Sequence, residues 1–174
     1  MNANDKMFSA HLPLVLLVDD ELRSREAMRR TLEEEFRIVI ASDSEAARNA
    51  LEHDEVAVIL CDQRMPGQTG VEFLKEVRAR WPEVVRIVVS GYVDSEDILA
   101  GINEAGIYQY LIKPWVPDHL LQTVRSAVQA SRLHHGLHRI ELDLRAGADV
   151  LEARRHEKLK QAGVAIGFQR MVRA

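Results

Sequence analysis

Polar side chains follow four short apolar runs of this sequence. Asp19 and Asp20 come directly after LVLLV, Asp62 follows VAVILC, Ser90 follows VVRIVV and Lys113 follows YQYLI. Each also has an ordinary explanation as a helix cap, a turn former, a loop hydroxyl or a surface charge. Their shared position, always after an apolar run, favours one common site over four separate explanations.

These residue types suit the binding of a divalent cation and a phosphoryl group. Two carboxylates ~4 Å apart repel by roughly 4 kcal/mol at an effective dielectric near 20, so a cluster of three requires a cation. Mg²⁺ prefers oxygen ligands and often completes its shell with phosphate oxygens. A carboxylate can then attack phosphorus and form an aspartyl phosphate. Lys113 would neutralise charge on the transferring group, and Ser90 would donate a hydrogen bond to it.

The elements that must position these groups alternate along the chain. Five runs predict buried strands, because they are apolar, branched and too short for helices. They cover residues 14–18, 38–41, 56–61, 84–89 and 108–112. Between them, apolar residues three or four apart predict helices. These helices cover residues 22–35, 44–52, 70–80 and 95–105.

Repeated β-α units predict an α/β fold, a doubly wound, five-stranded parallel sheet with helices on both faces. Ser44 and Ser95 occupy the predicted N-cap positions, and Pro82 blocks continuation of the third helix. Such sheets bind ligands at the carboxyl ends of their strands. The four polar groups should therefore meet at one edge of the sheet.

Composition restricts the class of protein. The chain has 174 residues, enough for one domain and an appendage. No apolar run approaches the ~18 to 20 residues of a membrane span, and the N-terminus lacks a signal-peptide pattern. We therefore expect a cytoplasmic protein without a membrane partner. Cys61 is the single cysteine, which excludes an internal disulfide and favours a small core residue.

Charge is distributed unevenly along the sequence. Residues 1–131 hold 14 basic and 22 acidic side chains, whereas residues 132–174 hold 9 basic and 5 acidic ones. The body is acidic and the tail is basic. Because phosphate contacts supply most nonspecific affinity for nucleic acid, the acidic body argues against direct DNA binding by that part.

Together these motifs resemble the receiver domains of bacterial two-component response regulators, over about residues 13–131. The resemblance rests on DD at 19–20, D at 62 with MPG at 65–67, SG at 90–91 and KP at 113–114. It implies the flavodoxin-like receiver fold, with strand order 2-1-3-4-5 and a C-terminal helical extension. It also implies a signalling domain that catalyses only its own phosphorylation and dephosphorylation, with a sensor histidine kinase as partner.

The resemblance also assigns a role to each site residue. By this resemblance Asp62 is expected to be phosphorylated, and Asp19, Asp20, Asp62 and the main-chain carbonyl of Arg64 are expected to hold Mg²⁺. Ser90 and Lys113 contact the phosphoryl group. Ser90 and Tyr110 form the switch that reports phosphorylation, and the Lys113-Pro114 peptide is expected to be cis.

Two stretches, DQRMPG at 62–67 and YLIKPW at 110–115, resemble the hydrogenase-synthesis regulators of the sigma-54 enhancer-binding class. In that class a receiver precedes an ATPase domain and a helix-turn-helix, and neither pattern is visible here. Residues 132–174 are therefore interpreted as a helical linker towards a missing output domain, through which alone DNA would be bound. The KPW ending also occurs in receivers that precede phosphodiesterase domains, and a stand-alone signalling adaptor is a further alternative.

The apolar spacing in the C-terminal region predicts a helix and self-association. Leu120, Leu121, Val124 and Val128 form an apolar stripe expected to pack on the sheet. Leu137, Leu144 and Leu151 are seven residues apart, which favours pairing in a homodimer, although Gly136 and Gly147 weaken the pattern. His134, His135 and His138 are interpreted as a solvated helix face and not as metal ligands.

A phosphatase of the haloacid dehalogenase type would also use an aspartate at a strand end as its nucleophile. That chemistry requires a second aspartate two residues after the first. Arg64 occupies this position, so the enzyme hypothesis is set aside.

Overall fold

The computed structural model describes residues 12–91 and 104–172. Within them the chain forms seven strands and four helices. The strands are β1 Leu14–Val18, β2 Arg37–Ala41, β3 Val56–Asp62, β4 Arg64–Met65, β5 Gln68–Thr69, β6 Val85–Ser90 and β7 Gln109–Ile112. The helices are α1 Leu22–Leu32, α2 Ser44–His53, α3 Gly70–Arg80 and α4 Pro117–Val172.

Five strands form one parallel sheet in the order β2-β1-β3-β6-β7. Strands β4 and β5 form a separate two-stranded antiparallel hairpin. With the hairpin left out of the count, the order is the predicted 2-1-3-4-5. The parallel, flavodoxin-like sheet is thus confirmed, and the hairpin was not predicted.

The alternation of side chains along the central strands creates two cores. In β1 all five residues are buried, but Leu14, Leu16 and Val18 contribute to one core and Val15 and Leu17 to the other. Residues of α2 and α3, such as Leu51 and Phe73, pack in the first core. Residues of α1 and α4, such as Met28 and Leu120, pack in the second. Helices therefore cover both faces, as a doubly wound sheet requires.

Helix boundaries differ from the predictions in detail. Asp43, and not Ser44, is the N-cap of α2, because its extended backbone lets its side chain accept a hydrogen bond from the Ala46 N–H at 2.8 Å. The N-cap of α1 is Glu21, without a side-chain bond, so Asp20 is not its cap. Pro82 follows the C-cap of α3, as predicted. Ser95 and most of the predicted helix 95–105 lie outside the described residues.

The C-terminal helix α4 runs through Gly136 and Gly147 without interruption. Leu120, Val124 and Val128 are buried in the second core, and Leu121 packs against it, which confirms that this stripe is core. The chain divides into two compact units, Met1–His134 and His135–Ala174. The boundary of the receiver at residue 131 stays a prediction. In the part of the chain that the structure describes, every helix is too short or too polar to cross a bilayer.

Candidate functional site

A cleft of about 370 Å³ opens at the carboxyl ends of β1, β3 and β6. The structure brings the predicted polar groups together there. The lining residues are Asp19, Asp20, Glu21, Asp62, Arg64, Ser90, Gly91 and Lys113. Their meeting follows from topology, because neighbouring parallel strands end at the same edge of the sheet.

Asp19 is fully buried at the end of β1. Its Oδ1 accepts a hydrogen bond from the Glu21 N–H at 2.8 Å, and its Oδ2 accepts one from the Ser24 hydroxyl at 2.6 Å. The Lys113 ammonium also donates to Oδ2, at 2.8 Å. Asp20, the next residue, is exposed and lines the cleft. The acidic pair therefore divides into one fixed carboxylate and one free to meet solvent.

Asp62 is buried at the end of the central strand β3. Its Oδ2 accepts a hydrogen bond from the Arg64 N–H at 2.6 Å, and its Oδ1 accepts one from the Lys113 ammonium at 2.5 Å. Burial raises the pKa of Asp62 above its ordinary value, and the hydrogen bond from Lys113 offsets part of this rise.

Lys113 bridges the two buried carboxylates. Its main-chain N–H donates to the Ser90 carbonyl at 2.8 Å, which fixes the end of β7 beside β6. Burial lowers the pKa of Lys113, but its hydrogen bonds with Asp19 and Asp62 outweigh burial, and the pKa is raised. The side chain is therefore a cation at neutral pH. The Lys113-Pro114 peptide is cis, as predicted.

The two switch residues lie on adjacent strands. Ser90 is buried at the end of β6 and lines the cleft. Tyr110 lies on β7, opposite Val88 in the register, and packs half-buried against the first core. Its part in the switch that reports phosphorylation stays a prediction.

The residues present suit a hard cation in their chemistry. All the predicted ligands offer oxygen, from the carboxylates of Asp19, Asp20 and Asp62 and the main-chain carbonyl of Arg64. Within residues 12–91 and 104–172, however, no three acidic, histidine or cysteine side chains are gathered closely enough to hold a metal ion. Instead the Lys113 ammonium lies between Asp19 and Asp62. Cation binding would thus require these side chains to move.

Several residues that support the site were not predicted from the sequence. Ser24, five residues after Asp19, donates to its carboxylate, and Arg25 donates to its main-chain carbonyl. Gln63 ties the turn after Asp62 to the start of α3. Only their short distance in sequence from the two aspartates could have suggested these contacts.

The fold and the cleft together define a flavodoxin-like α/β domain with a lysine-bridged acidic site. The family model described as the response regulator receiver domain matches residues 15–125. The chain therefore belongs to the family of response regulator receiver domains, which are signalling domains.

Two curated relatives are similar to three quarters or more of the chain. The hydrogenase transcriptional regulatory protein HoxA of Cupriavidus necator is 62% identical over 160 residues, 92% of this chain and 33% of the relative. The protein of the same name from Bradyrhizobium diazoefficiens is 52% identical over 76% of this chain and 27% of the relative. This chain thus spans about a third or less of the length of these relatives.

Solved structures show the same fold. The signal receiver domain of an HD domain-containing protein from Pseudomonas fluorescens Pf-5 is 28% identical, with a TM-score of 0.68 over 70% of this chain and 98% of that one. A CheY-like receiver domain protein from Methanospirillum hungatei is 25% identical, with a TM-score of 0.67 over 71% of this chain and 98% of that one.

Proposed function

We propose that Asp62 accepts a phosphoryl group from a sensor histidine kinase in a reaction that requires Mg²⁺. The observation that carries this proposal is the Lys113 ammonium, 2.5 Å from Asp62 Oδ1 and 2.8 Å from Asp19 Oδ2. It places a fixed positive charge beside the acid that ends the central strand, where a phosphoryl group would need charge neutralisation. The family to which the chain belongs supports the same assignment.

Asp62 would act as the nucleophile in its ionised form. A carboxylate oxygen forms the new P–O bond as the P–N bond of a phosphohistidine breaks, and the departing imidazole keeps the electron pair of that bond. Lys113 favours the ionised acid and then faces the phosphoryl oxygens. Ser90, buried at the neighbouring strand end, would donate a hydrogen bond to one of them.

The oxygens of Asp19, Asp20, Asp62 and the Arg64 carbonyl would hold Mg²⁺. The bound ion would neutralise phosphoryl charge during transfer. The exposed Asp20 lines the cleft, and Asp19 is already held by Glu21 and Ser24.

The receiver would act in control of transcription for hydrogenase synthesis, through an output domain of a longer protein. The high identity with the two HoxA regulators supports this role. Binding to DNA would then be carried by the output domain, and a homodimer would form through the C-terminal helix. A second candidate is a phosphodiesterase output, favoured by 27% identity over 164 residues with the cyclic di-GMP phosphodiesterase response regulator RpfG of Xanthomonas campestris.

Phosphoryl incorporation from acetyl phosphate tests the proposal. With MgCl₂ present, we expect the wild-type chain to gain one phosphoryl group, detected by mass spectrometry of the intact protein. The variant Asp62→Asn should gain none, and chelation of Mg²⁺ should prevent labelling of the wild type. Labelling of Asp62→Asn to the wild-type extent would refute Asp62 as the acceptor.

A further inference from the structure

Gln63 makes more tertiary hydrogen bonds than a turn residue requires. Its main-chain N–H donates to the Val89 carbonyl at 3.0 Å, and its carbonyl accepts from the Gly70 N–H at 3.0 Å. Its side-chain Oε1 accepts from the Val71 N–H at 3.1 Å. Gln63 is thus hydrogen-bonded both to the neighbouring strand β6 and to the first turn of α3.

These bonds satisfy donors that a helix start leaves free. The first N–H groups of an α-helix have no partner within the helix. In α3 the Gly70 and Val71 donors are both accepted by Gln63, and the third, from Glu72, is accepted by the Thr69 hydroxyl at 3.2 Å. Gln63, which belongs neither to the helix nor to the hairpin, therefore acts as a second N-terminal cap of α3.

The close approach of α3 to the strand end depends on Gly70. A Cβ built on Gly70 would lie 2.2 Å from the main-chain oxygen of Asp62 and 3.0 Å from the Cα of Gln63. Only a glycine fits between these backbone segments. The start of α3 therefore packs directly against the peptide that joins Asp62 to Gln63.

We infer that Gln63 is a positioning residue for phosphoryl acceptance, an inference that rests on the proposed function of Asp62. The Arg64 N–H binds Asp62 Oδ2 at 2.6 Å, and the Arg64 carbonyl is a proposed magnesium ligand. Both groups belong to the residue that follows Gln63. By fixing the backbone on either side of its own Cα, Gln63 sets the direction of the Asp62 carboxylate and of the Arg64 carbonyl. Its loss should weaken Mg²⁺ binding and slow phosphorylation.

Three variants separate this role from simple helix capping. Gln63→Met keeps the length of the side chain and removes the acceptor, whereas Gln63→Glu keeps an acceptor oxygen for Val71. Gln68→Met is the matched control, because Gln68 lies on the hairpin that follows Gln63, is also half-buried, and loses a bond of 3.1 Å with Arg48. If Gln63→Met prevents folding, Gln63→Asn removes the same bond by shortening the side chain.

Calorimetric titration with MgCl₂ and the rate of labelling by acetyl phosphate give the readouts. For Gln63→Met we expect a Kd for Mg²⁺ raised about fivefold, the worth of one hydrogen bond, and a matching fall in the labelling rate. Gln63→Glu should restore both, and Gln68→Met should leave both unchanged at a comparable loss of thermal stability. If the wild type labels and Gln63→Met binds Mg²⁺ and labels like Gln68→Met, the inference is wrong. If the wild type itself fails to label, the proposed function falls and takes the inference with it.

Discussion

The buried acids of the cleft are incompletely neutralised. The buried Asp19 and Asp62 share one half-buried ammonium, that of Lys113, so the three groups together carry a net negative charge when both acids are ionised. The exposed Asp20 adds to this charge from the rim. A site of this kind is poorly stabilised by the protein alone and well suited to a divalent cation.

Replacement of the buried acceptor should therefore stabilise the domain when no divalent cation is present. Burial raises the pKa of Asp62, so the folded state binds a proton more tightly than the unfolded state does. Stability contributed by such an acid is full below its ordinary pKa and is lost as pH rises through the raised value. At neutral pH, Asp62→Asn removes the loss of stability that comes from ionising this buried carboxyl group. We expect a higher urea midpoint for the variant in EDTA, and a smaller difference from the wild type at pH 4.

The exposed Asp54, which follows α2, supplies the control. Asp54→Asn makes the same chemical change outside the cleft and should leave the midpoint close to the wild type. A midpoint of Asp62→Asn at or below the wild-type value in EDTA would show that the Lys113 interaction outweighs burial.

Removal of the bridging cation tests the assignment of Lys113. Lys113→Ala leaves the predicted oxygen ligands intact, so the variant should still bind Mg²⁺. It removes the positive charge beside Asp62, so labelling by acetyl phosphate should slow by at least tenfold, as for the loss of a charge-stabilising group at a reacting centre. Calorimetry and mass spectrometry give the two readouts. Unchanged labelling would contradict the role of Lys113.

The main residues of the cleft were predictable from sequence because each follows a buried run. The end of a run identifies the end of a strand, and parallel topology then brings Asp19, Asp62 and Ser90 together. Supporting contacts were not predictable in this way. Ser24 and Gln63 have no pattern of their own, and their bonds depend on distances that only the packed backbone defines.

At the scale of elements, helix α2 shows which of several adjacent polar residues becomes the N-cap. In the sequence Ser42-Asp43-Ser44 any of the three side chains has a suitable oxygen. The structure uses Asp43, whose Oδ1 accepts from Ala46 and whose Oδ2 accepts from the Ser42 hydroxyl at 2.9 Å. Sequence alone predicted the helix but placed its cap one residue late. The hairpin β4–β5 was missed because two-residue strands are too short to show a period.

Substitution of the observed cap should destabilise the domain, and substitution of the predicted one should not. Asp43→Ala removes the bond to Ala46 and should lower the free energy of unfolding by about 1 kcal/mol. Ser44→Ala, one residue on, should have little effect. The backbone bond from Ala46 lowers the pKa of Asp43, so its contribution is present above its ordinary value of 3.8 and is lost as pH falls through the lowered one.

Urea unfolding at pH 7 and at pH 3 measures both parts of this prediction. The difference between Asp43→Ala and the wild type should shrink at pH 3. Equal destabilisation by the two alanine variants at pH 7 would mean that the cap is shared, contrary to the geometry.

At the scale of the whole molecule, exposed apolar side chains recur among the described residues of the C-terminal helix. Ile140, Leu144 and Leu151 are spaced four and seven residues apart and are more than half exposed. This spacing is the apolar repeat of a two-stranded coiled coil. The sequence predicted the seven-residue repeat, and the helix continues through Gly136 and Gly147, so self-association through this repeat stays a prediction.

Phosphorylation should alter this self-association. A phosphoryl group on Asp62 would draw the Ser90 hydroxyl towards its oxygens. The ring of Tyr110 would then rotate inward, from a more exposed to a more buried position. Such a change biases two arrangements that already exist. A complete shift from 1:99 to 99:1 would require ~5.5 kcal/mol, of which a few charge-assisted hydrogen bonds supply only a part. We therefore expect a partial change in the monomer–dimer equilibrium.

Sedimentation with and without beryllium fluoride, a mimic of the phosphoryl group, measures the change. The wild type should shift its dimerisation constant when Mg²⁺ and beryllium fluoride are added together, while Asp62→Asn should keep one constant in both conditions. Leu144→Glu places a charge in the apolar repeat and should reduce dimerisation in either state. With occupancy of Asp62 established by mass spectrometry or calorimetry, an identical equilibrium in both states would refute the coupling. Phosphoryl acceptance would remain, because the labelling experiment tests it without reference to the helix.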